Sequence, residues 1–282
     1  MKNENLTSDS IKAAIAENLT LPSKTFLSNR SMMRFALSIL DLTTLEGNDN
    51  EETINALCEK AKGFSAMNMP NVAAVCVYPV FIKQAKELLQ GTSVNVASVA
   101  GAFPSGQSPL RIKVSEVQYA IEQGADEIDM VISRGKFLSG KYEEVAEEIR
   151  TIKETCRNAH LKVILETGEL ILPNLIYKAS MLAMEAGADF IKTSTGKIPV
   201  SATTEAAYVM LTAIRDYYNK TGKQTGFKAA GGIATPVQAA EYIQLVEGIN
   251  GQEWLTPRLF RIGASRLANN LMSTLNDSSE EE

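Results

Sequence analysis

The sequence predicts an α/β fold of the (β/α)8 type, a TIM barrel with a short N-terminal helical extension. Three observations carry this. Eight short apolar runs are each followed by a segment of helical periodicity. Strict alternation of this kind implies parallel strands with helices outside, and eight units suit closure into a barrel. The length of 282 residues suits one such domain plus an appendage. An open, doubly wound sheet is the competing arrangement.

Residues 1–30 read as the extension. "SDSIKAAIAEN" has the spacing of a short amphipathic helix with a serine at its start, and "LTLPSKTFLSN" reads as a linker. The barrel is expected over residues 31–275. Its strands are the runs "LSILDL", "VAAVCVYP", "SVNVASVAG", "ADEIDMVI", "LKVILET", "ADFIKTST", "TGFKAAGG" and "LFRIGAS", short and rich in Val, Ile and Leu as buried parallel strands are. Helices follow in turn at "EETINALCEKAK", "VFIKQAKELLQ", "PLRIKVSEVQYAIEQ", "KYEEVAEEIRTIKETCRN", "PNLIYKASMLAMEA", "TTEAAYVMLTAIRDYYNK" and "TPVQAAEYIQLVEG", several opened by Pro or Thr. "RLANNLMSTL" closes the series. No Pro/Ser-rich linker divides the run, so one domain is expected. Residues 276–282, "NDSSEEE", read as a flexible acidic tail.

Composition narrows the function classes. Hydrophobic residues make up 45% and charged residues 22%, an ordinary globular balance. The formal net charge is -5 with no basic stripe, which argues against a nucleic-acid partner. No apolar run approaches the ~18 residues of a membrane span, and "MKNENLTSDS" lacks a signal-peptide pattern. Three cysteines, Cys58, Cys76 and Cys156, do not suggest a disulfide framework. A reduced, cytoplasmic protein is expected.

An internal echo aligns two strands. "EQGADEIDMV" and "EAGADFIKTS" share a helix–Gly–Ala–Asp–strand pattern, with Gly124 and Gly187 at the position after a helix that favours left-handed backbone. Asp129 and Lys192 stand at the same offset from these glycines. Inward residues of a barrel alternate along each strand, so both can face the axis.

Barrel active sites lie at the C-terminal ends of the strands. The polar residues expected there are Asp41, Cys76, Asp129, Glu166, Lys192 and Lys228, with Lys162 earlier on its strand. A self-satisfying buried ion network is the competing reading, but such networks often stabilise no better than apolar packing. Ionisable groups gathered at the catalytic end more often serve a reaction. Two lysines in one pocket point to amine chemistry. A lysine of pKa ~10.4 is neutral only about one part in a thousand near pH ~7.4. Lowering it to ~7.5 takes about three units, or ~4 kcal/mol. A second ammonium at ~6 Å supplies roughly 2.8 kcal/mol at an effective dielectric of ~20, and partial desolvation the rest. Such an amine attacks a carbonyl to form a Schiff base while an acid/base group such as Asp129 moves protons. Spacing alone does not choose between Lys192 and Lys228.

Glycine-rich turns point to the substrate's other end. "KAAGGIAT" places Gly231 and Gly232 after strand seven, "RIGASRL" places Gly263 and Ser265 after strand eight, and "STGK" adds Gly196 and Lys197. Backbone N–H groups in such turns hold phosphate, and these are its usual loops in barrels. Metal chemistry is not expected: the sole histidine, His160, precedes strand five as a helix-end residue, and no CxxC occurs. Cys58 and Cys156 read as helix core positions. No GxGxxG follows a strand, so no dinucleotide, and no cofactor, is expected.

The segments "LDLTTL", "AAVCVYP", "GADEIDMV", "LKVILETGEL", "ADFIKTSTGK", "GFKAAGG" and "RIGAS", in order from about residue 36 to 270, resemble the deoxyribose-phosphate aldolases, a family of class I aldolases. The resemblance implies a (β/α)8 barrel that reversibly cleaves 2-deoxy-D-ribose 5-phosphate to acetaldehyde and D-glyceraldehyde 3-phosphate. It implies that Lys192 forms the Schiff base, that Lys228 depresses its pKa, and that Asp129 relays protons through water. Lys162, Asp41 and Cys76 fall in the surrounding polar network and sugar site. Gly196, Lys197, Gly231, Gly232, Gly263 and Ser265 would hold the phosphate. The partners implied are a sugar phosphate and small aldehydes, with a homodimer usual in the family, and no nucleic acid or membrane.

Departures from the family pattern are few. Ala229 replaces the proline of "GFKPAGG", which would loosen the turn beside Lys228. Arg266 stands where a second serine is usual and adds a cation near the phosphate. Many members end in a tyrosine that assists enamine protonation, whereas this chain's last residue is Glu282. The extension has no family role. Another Schiff-base aldolase or transaldolase, and a non-catalytic scaffold barrel, are the alternatives.

Overall fold

The computed structural model describes residues 6–277. Its eight strands are β1 (Leu40–Thr43), β2 (Ala74–Val77), β3 (Asn95–Ala100), β4 (Glu127–Val131), β5 (His160–Ile164), β6 (Phe190–Lys192), β7 (Gly226–Ala230) and β8 (Phe260–Ala264). They lie parallel in chain order, and β1 pairs with both β2 and β8. The sheet therefore closes and leaves no edge, which excludes the open doubly wound arrangement. This is a TIM barrel.

Three helices precede β1: α1 (Ser8–Asn18), α2 (Ser23–Ser28) and α3 (Arg30–Ser38). Around the barrel run α4 (Glu51–Ala66), α5 (Ile82–Leu88), α6 (Leu110–Glu122), α7 (Arg134–Leu138), α8 (Tyr142–Cys156), α9 (Thr167–Leu170), α10 (Pro173–Glu185), α11 (Thr204–Thr221), α12 (Pro236–Asn250) and α13 (Leu267–Asp277). No helix among the described residues is long and apolar enough to cross a membrane.

Several local readings are corrected. Leu37 and Ser38 of "LSILDL" finish α3 rather than begin a strand. Met33, Ala36 and Leu37 are all buried at helical spacing, and a short apolar run does not by itself distinguish helix from strand. The stretch read as a linker contains α2, which follows Pro22 and buries Phe26 completely. α1 is capped by Thr7, whose hydroxyl accepts from the Ser10 N–H at 3.3 Å, one residue before the serine expected there. The short helices α7 and α9 sit in loops too brief to show periodicity. His160 is the first residue of β5, its N–H donating to the Asp126 carbonyl at 3.0 Å, and not a helix end. α13 runs through Asp277. The rest of the acidic tail, 278–282, and residues 1–5 of the extension lie outside the described residues.

The core has two unlike parts. Outward strand residues such as Val75, Val96, Ile128, Val163, Ile191 and Ile262 pack against the helices in one continuous apolar layer. α1 and α2 join it by burying Ile11, Ile15 and Phe26 beside α11 and α12. Inside the barrel, Ala74, Cys76, Ala97 and Val99 of β2 and β3 form a separate apolar cluster with Leu45, Tyr78 and Phe103. The remainder of the interior is ionic. Phe190 closes its lower part: a Cβ on Gly226 would meet the phenyl ring at 2.3 Å, so only glycine fits beneath it.

Candidate active site

Lys192 ends β6, in register with Lys228 of β7, while Asp129 of β4 lies opposite Lys162 of β5. Alternation turns all four side chains inward. Asp129 is the hub. Its Oδ2 accepts from Lys192 Nζ and Lys228 Nζ, both at 2.8 Å, and its Oδ1 from Lys162 Nζ at 2.9 Å. Lys228 also pairs with Asp41 Oδ2 at 2.5 Å, and Lys162 with Glu127. Below them Arg261 joins Asp41 at 2.7 Å and Glu127 at 2.8 Å.

Four cations thus face three carboxylates, leaving one positive charge in excess. Its natural bearer can be identified. Lys162 reaches three carboxylates and Lys228 two, but Lys192 touches only Asp129. Proton loss from Lys192 would neutralise the cluster.

The pKa directions agree with this count. Burial pulls the Lys192 ammonium below the ordinary lysine value; Asp129 opposes the shift and Lys228 assists it. Desolvation therefore leads, and the second ammonium, assigned the larger share on sequence grounds, comes after it. Burial acts on Lys228 and Lys162 too, but Asp129 with Asp41 or Glu127 outweighs it and raises both. Burial would raise the Asp129 carboxyl, yet three lysines hold it well below the usual range. Asp41 is likewise held low against its burial, chiefly by Lys228 and Arg261. Burial pushes the Cys76 thiol up to about 11, so it stays protonated near neutrality.

A network this deep should be sensitive to loss of a member. Arg261→Met strips a cation from Asp41 and Glu127 and is expected to cost about 3–5 kcal/mol, read as a lower urea midpoint at neutral pH. An unchanged midpoint would show that Arg261 does not hold the barrel together.

A cavity of about 300 Å³ opens above Lys192. Gly196, Lys197, Gly231, Gly232, Gly263 and Ser265 all line it, together with Arg266. Positive φ at Gly231 (89°) and Gly232 (82°) demands glycine, and a Cβ on Gly231 would also meet Ser201 at 2.4 Å. Lys197 is paired with Glu46 at 3.0 Å. Of the ionic cluster only Lys192 lines the cavity; Asp41, Asp129, Lys162 and Lys228 are sealed beneath it, and Cys76 sits in the apolar half of the interior. Ala229, read as part of a turn, is fully buried within β7 opposite Ile262; the turn begins after Ala230.

The loop after Lys192 is pinned from below. Glu166, buried at the mouth, accepts from Thr195 N at 3.1 Å and Thr195 Oγ1 at 2.6 Å, and pairs with Arg134 at 3.1 Å. Arg134 in turn donates to the Pro104 and Ser105 carbonyls of the loop after β3. The Ser194 hydroxyl donates to the Ala230 carbonyl, tying this loop to β7. Sequence reading missed Glu127 and Arg261, although the signal was present. Each stands two residues before an inward position, Asp129 and Gly263, and therefore faces the same way. Thr195 and Arg134 carry no such signal, because loop geometry places them.

Residues 35–247 match the sequence profile of the DeoC/LacD family aldolase. The chain is 48% identical over 248 residues to the deoxyribose-phosphate aldolase of Homo sapiens, covering 84% of this chain and 78% of that one. The same figures relate it to the deoxyribose-phosphate aldolase of Mus musculus: 48% over 248 residues, 84% and 78%. The deoxyribose phosphate aldolase of Aeropyrum pernix, a solved structure, shares the fold with a TM-score of 0.68 at 24% identity, over 98% of this chain and 100% of that one.

Proposed function

The chain belongs to the DeoC/LacD family of aldolases, and within it we propose a deoxyribose-phosphate aldolase that works through a Schiff base on Lys192. It cleaves 2-deoxy-D-ribose 5-phosphate reversibly to acetaldehyde and D-glyceraldehyde 3-phosphate. One observation carries the assignment of the nucleophile. Lys192 alone joins the ionic cluster to the cavity, and of the cluster's three lysines it has the fewest carboxylate partners.

The steps follow from this placement. Neutral Lys192 Nζ attacks the C1 aldehyde of the open-chain sugar, and loss of water gives the iminium. The iminium withdraws electrons as the C3 hydroxyl loses its proton and the C2–C3 bond breaks, releasing glyceraldehyde 3-phosphate. The enamine takes a proton at C2, and water returns the amine and acetaldehyde. Asp129, held as a carboxylate beside Lys192, accepts and passes these protons through water. Lys228 and Lys162 keep it charged, and Lys228 adds its positive field to the burial that lowers Lys192. The phosphate is held by the N–H groups of the turns at Gly196, Gly231 and Gly232, with Ser265, Lys197 and Arg266; Gly263, expected after strand eight, lies inside β8 and borders the cavity from there. A homodimer in the cytoplasm belongs to the same reading, and light scattering tests the assembly.

Borohydride reduction in the presence of 2-deoxyribose 5-phosphate is expected to leave a stable adduct on Lys192, seen by intact mass and peptide mapping. Turnover is expected to be indifferent to EDTA. An adduct formed only with a different sugar phosphate would reassign the substrate, and activity lost to EDTA and restored by zinc would overturn the metal-free route.

A further inference from the structure

A second polar cavity, of about 310 Å³, lies at the opposite end of the barrel from Lys192. Residues at strand starts form it: Asn95 at β3, His160 at β5 and Arg261 at β8, with Ser93 and Arg258 just before strands. Three lining side chains are basic, Arg258, Arg261 and His160, and none is a carboxylate. This is unusual on a chain of net charge -5.

The carboxylates nearest in sequence to the lining residues are already engaged. Asp126 takes Lys86 through both oxygens at 2.9 Å, and Glu127 takes Arg261 at 2.8 Å, Asn95 at 2.9 Å and Lys162. Arg261, 3% exposed, forms a fixed floor whose guanidinium is spent on Asp41 and Glu127, so the positive charge open to a ligand is that of Arg258. The exposed Arg258 side chain has no ion pair or hydrogen bond among the described residues. Ser93 accepts from Asn71 at 2.9 Å and keeps its own hydroxyl hydrogen to give.

We propose that this cavity binds a small oxyanion-bearing molecule, a phosphate ester or a carboxylate, between Arg258, His160 and the Ser93 hydroxyl. A guanidinium free of internal partners gives charge-assisted hydrogen bonds to such a group, and Glu127, the carboxylate beside His160, is already neutralised by Arg261 and Lys162. The site is separate from the cavity over Lys192 and does not depend on the reaction assigned there.

His160 is the chain's one histidine, so its ring gives a single local signal. In protein labelled with carbon-13 histidine, that resonance is followed against inorganic phosphate and, separately, succinate, with sodium chloride at matched ionic strength. A saturable shift is expected. Arg258→Gln should weaken the midpoint at least about tenfold, and Lys197→Gln, at the other cavity, should leave it in place. Saturation by phosphate or by succinate assigns the head group. No saturable shift with either anion, a shift reproduced by chloride, one unchanged in Arg258→Gln, or one lost in Lys197→Gln overturns the proposal.

Discussion

Lys192→Met is expected to lower turnover by roughly 10⁵–10⁶-fold, the scale on which removal of a covalent catalyst acts, and to abolish the borohydride-trapped adduct. The fold should survive. Lys192 bears the excess charge of its cluster, so its loss leaves Lys162, Lys228 and Arg261 balanced against Asp41, Glu127 and Asp129. Methionine fills the space of the lysine stem without stranding a buried carboxylate. The urea midpoint is therefore expected to stay close to that of the parent, and binding of inorganic phosphate above the site to persist. Two measurements together decide the matter, adduct mass and unfolding midpoint. An adduct still formed at the parental rate would move the Schiff base to Lys228 or Lys197. Lost activity accompanied by a collapsed midpoint would make Lys192 a structural ion rather than a nucleophile.

Lys228→Gln should instead slow turnover near neutrality by on the order of a hundredfold and let it recover as pH rises toward ~9–10. Both lysine nitrogens bond the same Asp129 oxygen, which puts them no more than ~6 Å apart. Removing one cation at that distance returns roughly two pKa units to the other at an effective dielectric of ~20. The sign follows from which form reacts. Neutral Lys192 is the nucleophile, and burial, helped by Lys228, lowers its pKa, so the reactive fraction grows as pH rises through that lowered value. In the variant the pKa climbs and the rise moves to higher pH. Lys228→Leu, run beside it, separates charge from desolvation, since an apolar side chain dries the site as well. A rate lost equally at every pH would mean that Lys228 contacts substrate or holds structure.

Much of this protein is legible along the chain, for a reason its interior makes plain. Alternation of apolar runs with helical segments is a one-dimensional property, and it determined eight strands joined by seven helical crossings, while closure was decided by the pairing of β1 with β8. Strand residues have period two, so an inward Asp129 on one β-strand and an inward Lys192 on another follow from two matching Gly-Ala-Asp signals. Glu127 and Arg261 were available by the same rule. What tertiary structure alone decided is how charge is shared among them. Whether a lysine touches one carboxylate or three depends on neighbours from six different strands meeting at the axis, and no local spacing encodes that. The ranking of desolvation over the second ammonium belongs here too, because burial is a property of the closed barrel. So do α2 and the end of α3, where packing against the barrel's outer helices overrides a short sequence that reads equally well as linker or strand. Sequence by itself determined which residue types stand at the mouth of which strand. The closed barrel determined which lysine is left with a single partner, and electrostatics in a dry interior makes that one the amine able to give up its proton.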